Sequence, residues 1–303
     1  MVYLIGGCVS FIVSVLLVPR VRQLAVYVGA VDKPDPRKIH RKLMPRMGGV
    51  AVFAGVVAGL GAAWLAVGQG WWEIPTDYFR QARVDQLPFL VLGSLIVLGV
   101  GIYDDIFGAS PRTKILCQVI AAVLMFAGGI RFGQTVFGTG LHGIWILQLL
   151  LTVGWLLGCS NAVNLIDGMD GLASGVSLIA TATLFVLFAL GIEGVTNTYM
   201  ATVMVCFCGA LLGFLIFNFH PAVIFLGDTG SLFLGFAIGA FALQQRAKAS
   251  TIVALAIPIL VLGLPIADTI LAILRRWGKR QSFSTPDKNH LHHRLLGLGF
   301  NQT

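Results

Sequence analysis

The sequence predicts an all-α fold, a polytopic membrane helix bundle, and three observations carry that prediction. Of its 303 residues, 57% are hydrophobic and only 11% are charged. Apolar runs recur along the whole chain, each long enough to cross a hydrocarbon core of about 30 Å at a rise of about 1.5 Å per residue. Nothing alternates like a barrel strand, and lipid cannot satisfy exposed backbone groups, so each run must be helical.

Those runs give nine spans, at roughly 2–19, 47–67, 87–103, 114–130, 141–159, 171–190, 198–217, 230–244 and 251–274, within a bundle of about nine to ten helices. The first has no basic leader and no A-x-A cleavage site, so it is expected to stay as an anchor. The second starts behind Met47-Gly48-Gly49, and the third stops at the acid pair Asp104-Asp105. Lys114 opens the fourth, and the fifth closes before Asn161. Gly171 opens the sixth, Asn218 follows the seventh, and Asp228-Thr229 precedes the eighth. The ninth carries Asp268 near its basic end at Arg275-Arg276. No long repeat or low-complexity linker interrupts the series, so one domain over 1–303 is expected.

Orientation follows from the cations. With alternating spans, 16 of the 21 Lys and Arg residues fall on one side, mainly in 20–46 and the tail. That side is predicted cytoplasmic, with the N-terminus outside. The net charge of +8 then reflects positive-inside bias and attraction to anionic headgroups, at about 1 kcal/mol per residue. Nucleic-acid binding is excluded, because no soluble segment is long enough for it. The five cysteines lie within or beside apolar spans without C-x-x-C spacing and are read as packing residues. Gly55 and Gly59, like Gly209 and Gly213, have the spacing of close helix contacts.

Five of the thirteen acids lie in three short phrases on the predicted cytoplasmic side: GIYDDIFG, NAVNLIDGMDGLASG and FLGDTGS. A carboxylate near lipid is costly unless it is paired or bound to a cation. Asp104 and Asp105 repel each other, which implies a cation or a basic partner, and Lys114 is placed to return to them. The alternative is a solvated turn punctuated by Gly108 and Pro111. Asn161, Asn164, Asp167 and Asp170 recur every third residue, so on a helical turn they share a face. Oxygen-only ligands suit a hard cation such as Mg²⁺, with phosphate oxygens completing its shell. An EF-hand is rejected on spacing and on the missing closing Glu. Asp228 opens the eighth span, with Thr229 and Ser231 as candidate caps and the helix amides facing phosphate. The plainer reading makes Asp228 itself the cap. Phe225 suits either a nucleobase stack or the membrane interface.

Two basic segments complete the set. His290, His292, His293 and Arg294 form a donor cluster suited to phosphate, with zinc as the rival ligand. Lys42 and Arg46 suit either a phosphate or simple topology determination.

Together these phrases resemble the polyprenyl-phosphate N-acetylhexosamine-1-phosphate transferase family. GIYDD with Lys114 nine residues on, NAVNLIDGMDGLASG, FLGDTGS, PRMGG and HLHHR occur in the family's order over about residues 32–296. The stretch DKPDPRKIHRKLMPRMGG and the HLHHR tail resemble the branch that uses UDP-N-acetylglucosamine, more than the peptidoglycan branch that takes UDP-MurNAc-pentapeptide. The resemblance implies transfer of a sugar-1-phosphate from a UDP-sugar to undecaprenyl phosphate in a bacterial plasma membrane, with a cytoplasmic active site and room for a homodimer. It implies Mg²⁺, or Mn²⁺ in its place, on Asp228 and Asn164. Asp104 and Asp105 would lie near the lipid phosphate, one of them as base or nucleophile, and Lys114 would contact phosphate. Asn218, Phe225, Asp167 and Asp170 would frame the uridine and diphosphate, and the histidine cluster with Arg294 would help hold the sugar nucleotide. Members usually continue into a further membrane helix after the histidines, whereas this sequence stops at Thr303, as either a truncated or a shortened natural form. Two rivals are weaker. An intramembrane aspartyl protease could use Tyr103-Asp104 and Gly227-Asp228, but Phe225 replaces its first glycine and NAVNLIDGMDG is left unused. A transporter would carry its polar residues near the midplane.

Overall fold

The computed structural model describes residues 2–32, 43–69, 86–132, 145–190 and 197–244. Their eight helices are α1 (Val2–Val28), α2 (Gly48–Gly68), α3 (Leu87–Phe107), α4 (Pro111–Ala127), α5 (Trp145–Ile166), α6 (Leu172–Leu190), α7 (Thr198–Asn218) and α8 (Gly227–Leu243). Between α1 and α2, strands β1 (Val31–Asp32) and β2 (Met44–Pro45) pair antiparallel, Val31 with Pro45 and Asp32 with Met44. Helices α1, α2, α3, α5, α6 and α7 are long and apolar enough to cross a membrane, which makes the chain a multi-pass helix bundle. The expected span 251–274 lies outside the described residues, as do Lys42, His290, His292, His293 and Arg294.

Helix ends depart from the apolar runs where polarity and helix propensity part company. Helix α1 does not stop near residue 19. It runs through Arg20 and Arg22, both good helix formers, to Gly29 at φ +80°. Helix α3 likewise continues past 103, so Asp104 and Asp105 sit in its last turns rather than in a loop. Gly108 ends it, and Ser110 caps α4 by accepting from the Thr113 amide at 3.1 Å, with Pro111 in the first turn.

Helix α8 is the centre. It has 17 residues, about 26 Å at 1.5 Å each. All but Asp228 are buried, against α2, α3, α5 and α6. A helix that is apolar on every side is stable when protein covers every side. Glycines set how closely it is approached. A Cβ on Gly49 of α2 would lie 2.2 Å from the Gly230 Cα, one on Gly101 of α3 would lie 2.5 Å from the Thr229 Cα, and one on Gly235 would lie 2.3 Å from the Cys159 carbonyl of α5. Farther out, Gly59 meets Ser10 and Gly6 of α1, and Gly209 meets the Gly7 carbonyl, which is the packing that their spacing implied.

Backbone bonds gather one end of the bundle. The Arg46 amide donates to the Ala30 carbonyl at 2.9 Å, the Phe225 amide to Pro45 at 2.8 Å and the Gly48 amide to Phe225 at 3.0 Å. The C-terminal ends of α1, α3, α5 and α7 thus meet the N-terminal ends of α2, α4, α6 and α8.

Gly101→Ala should destabilise by about 1–3 kcal/mol, because backbone rather than a flexible side chain opposes the new methyl. Gly99→Ala in the same helix meets nothing within 4 Å and should be neutral or slightly stabilising. Thermal unfolding of the two variants in one detergent checks the contrast.

Candidate active site

The neighbouring acids of α3 face different partners. Asp105 is buried, 6% exposed, and points into α8. Its Oδ1 accepts the Asp228 amide at 3.0 Å, while Oδ2 accepts the Thr229 amide at 3.0 Å and the Thr229 hydroxyl at 2.6 Å. These amides belong to the first turn of α8, where no intrahelical acceptor exists. The sequence offered Thr229, Ser231 or Asp228 itself as the cap. None of them serves. Leu226 stands at the N-cap without a side-chain bond, the Ser231 hydroxyl donates to the Gly227 carbonyl at 2.8 Å, and the cap comes from another helix.

Asp104 turns away from the first amides of α8, its side chain 12% exposed. Its Oδ1 accepts the Ala109 amide at 2.7 Å and lies 3.2 Å from Lys114 Nζ. The same ammonium donates to Asp228 Oδ2 at 2.7 Å. Lys114 therefore bridges α3 and α8 from the first turn of α4. Asp104, Asp105 and Asp228 each offer an oxygen within 4.8 Å of the others.

Asn164, in the last turn of α5, completes the hold on Asp228. Its Nδ2 donates to Asp228 Oδ1 and to the Ser231 hydroxyl, both at 2.9 Å. A carboxylate only accepts, so the amide must turn its NH₂ toward Asp228. The resemblance cast Asn164 as a metal ligand through its oxygen. Here its amide NH₂ orients the acid.

The expected four-residue face is divided. Helix α5 ends at Ile166, so only Asn161 and Asn164 are helical. Asn161 donates to Gln118 Oε1 and to the Leu157 carbonyl, both at 2.8 Å, away from the acids. Asp167 is half-buried in the following turn. Burial, reinforced by the charges of Asp105 and Asp228, pushes its pKa well above the usual carboxylate range, against the opposing pull of Arg46 and the Gly227 amide. Asp170 belongs to a second cluster, where its Oδ2 meets His220 Nδ1 at 2.8 Å and the Ala222 amide at 3.1 Å.

Asn218 is 2% exposed and bonded inside the fold: Ser174 donates to its Oδ1 at 2.6 Å, and its Nδ2 donates to the Ile224 carbonyl at 3.0 Å. It therefore shapes the 219–226 loop. Phe225 is half-buried in that loop. Arg46 pairs with Asp32 across the start of the β1–β2 ladder. Sequence reasoning made nothing of Ser174, Gln118 or Ser160, because the sequence carries no sign of their cross-helix partners. Gln118 donates to Ser160 at 3.3 Å, and Ser160 to the Leu232 carbonyl at 2.9 Å, tying α4 and α5 to α8.

The donor set fits a divalent ion. Every group around the cluster is an oxygen ligand or an oxygen's support, the preference of a hard cation. Three carboxyl groups also gather around a single described ammonium.

The fold and this acidic, lysine-bridged end define a multi-pass membrane protein with a charged cluster at the ends of its helices. The chain belongs to glycosyl transferase family 4, whose profile matches residues 87–246. It is 40% identical over 297 residues to a Bacillus subtilis (strain 168) protein named as a probable undecaprenyl-phosphate N-acetylglucosaminyl 1-phosphate transferase, covering 96% of this chain and 77% of that protein. It is 34% identical over 313 residues to the decaprenyl-phosphate N-acetylglucosaminephosphotransferase of Mycobacterium tuberculosis, covering 97% and 75%. The undecaprenyl-phosphate alpha-N-acetylglucosaminyl 1-phosphate transferase of Salmonella typhi is 27% identical over 302 residues, covering 96% and 75%.

Asp105→Asn should destabilise by about 1–3 kcal/mol, because an amide NH₂ would confront α8 amides that need an acceptor. Asp104→Asn, nearer solvent, should unfold close to wild type while losing turnover. Melting temperatures measured beside activity separate the two acids.

Proposed function

We propose that the chain transfers N-acetylglucosamine-1-phosphate from UDP-N-acetylglucosamine to a polyprenyl phosphate, undecaprenyl phosphate by the names of two relatives, and releases UMP. The observation that carries this reading is the convergence of Asp104, Lys114, Asn164 and Asp228 from four helices, inside a family whose relatives bear that activity in their names. The active end is assigned to the cytoplasmic side of a bacterial plasma membrane, because most of the Lys and Arg flank it.

The donor's two phosphates and the acceptor's phosphate are all anionic, so the chain must bring like charges together. The Lys114 ammonium is the nearest described cation to the acids and offsets that repulsion at the phosphates. An oxygen of the lipid phosphate attacks the sugar-linked phosphorus. The bond to the bridging oxygen breaks, and UMP leaves with its electron pair. A phosphomonoester has its second pKa near about 6, so the acceptor needs no strong base at neutral pH. Direct attack is therefore assigned rather than a covalent aspartyl intermediate. Asp105 already holds α8 and is a positioning residue. Asp104 is the acid of the pair that faces the reaction. Asn164 orients Asp228, and Asp167 with Arg46 borders the entry to α8. Asp228 and Asp104 would hold Mg²⁺, or Mn²⁺ in its place, and the ion when bound would supply Lewis-acid withdrawal of charge from the diphosphate. A two-carboxylate protease would leave Lys114, which pairs with both Asp104 and Asp228, without a role.

Purified protein given UDP-N-acetylglucosamine and undecaprenyl phosphate should release UMP only when both are present. Asp228→Ala should lower that rate by about 10²–10³-fold or more. UMP release that ignores the lipid, or no release at all, overturns the reading. UDP-MurNAc-pentapeptide in the donor's place should give no product.

A further inference from the structure

We infer that Lys114 is the protein's own stand-in for the divalent ion: it holds the acidic cluster closed until metal arrives, and it must leave Asp228 for metal to bind. The inference rests on the metal-dependent reading proposed above and assigns an order to it. Metal and phosphate then bind as a linked pair, with Lys114 moving from the acids to the phosphate.

An inventory of oxygens carries this. Both oxygens of Asp105 accept from the first turn of α8. Asp228 Oδ1 accepts from Asn164, and Asp228 Oδ2 from Lys114. Asp104 Oδ1 accepts from the Ala109 amide and lies beside Lys114. Most of these donors are backbone amides or short side chains fixed by the helix that carries them. Among the described donors to the cluster, Lys114 alone is ionic and alone sits on four methylenes. Its side chain is 25% exposed, so it is not enclosed by the bundle. A cation on Asp228 Oδ2 would meet an ammonium 2.7 Å from the same oxygen. The two cations would then stand about 4 Å apart on one oxygen, and their repulsion at that distance favours the departure of the ammonium.

Two consequences follow. Lys114 competes with metal in the absence of substrate, which lowers the apparent metal affinity by the fraction of molecules in the lysine-bound state. A phosphate that draws Lys114 away removes this competition, so nucleotide strengthens metal binding, and metal strengthens nucleotide binding by the same factor.

The test titrates the full chain in detergent with Mn²⁺, following the free ion by electron paramagnetic resonance. Wild type and Lys114→Gln are compared with and without UMP. Lys114→Gln should bind Mn²⁺ about tenfold tighter than wild type without UMP, a difference of about 1.4 kcal/mol. UMP should tighten Mn²⁺ binding to wild type and leave the variant nearly unchanged. Equal or weaker Mn²⁺ binding by a folded Lys114→Gln overturns the inference. Should that variant not fold, amine labelling of wild type decides: peptide mass spectrometry should find Lys114 labelled faster with saturating Mn²⁺ than in EDTA, and equal or slower labelling overturns it. A wild type that turns over but binds no Mn²⁺ sinks the metal reading beneath it. A wild type that binds Mn²⁺, with no gain in Lys114→Gln, sinks the lysine's role alone.

Discussion

The arrangement at the active end depends on Asp105 closing the first turn of α8. A helix that begins inside a bundle presents amides that neither water nor its own carbonyls can satisfy. Here the chain reaches the helix through Gly227, at φ +73°, a conformation that leaves no room for a side chain: a Cβ would lie 2.5 Å from Asp105 Oδ2. That close approach lets one carboxylate take two amides and a hydroxyl together. Its charge also answers the positive end of the helix dipole. Asp228 is the residue whose amide is held, so the same contact that stabilises α8 fixes where its carboxylate stands.

Glycine contacts and polar contacts are two halves of one requirement. Polar bonds of about 3 Å between helices need backbones that approach closely, and Gly101 and Gly49 remove the side chains that would keep α3 and α2 away from α8. Near lipid, an acid without a partner is expensive. Asp104, Asp105 and Asp228 each have partners in the fold, yet Asp104 and Asp228 share theirs, Lys114. The cluster is therefore held by the fold while one ammonium serves two of its acids.

Much of this was legible in the sequence. Apolar runs marked the described helices because lipid and the buried centre both demand apolar residues, and the acids stood out against that background. The convergence of Asp104, Lys114, Asn164 and Asp228 followed from strict alternation of spans. What the runs could not show was where a helix stops once its polarity changes, so α1 and α3 outlast their apolar stretches. Nor could spacing divide the Asn161–Asp170 series, because the helix ends at Ile166 and sends Asp170 to His220. Asn164 had the right place, but which end of its amide faces Asp228 is decided by the partner's chemistry rather than by spacing. Asn218 carries a polar side chain of the kind that binds ligands, but its bonds to Ser174 and Ile224 are long-range facts of the fold.

The doublet Asp104-Asp105 shows why one dipeptide can serve two purposes. Successive residues on a helix point about 100° apart, so neighbours cannot face the same partner. On α3 that angle sends Asp105 into α8, where it is 6% exposed, and leaves Asp104 on the open side with Lys114. If α3 ended before the pair, as its apolar run suggests, a loop would let both acids face outward and repel. The helix must therefore continue past the membrane-like stretch to Gly108 for the pair to be divided between support and reaction. The extra turn of α3 is thus part of the site rather than an overhang, and it is where the polarity of the sequence and the geometry of the helix had to disagree.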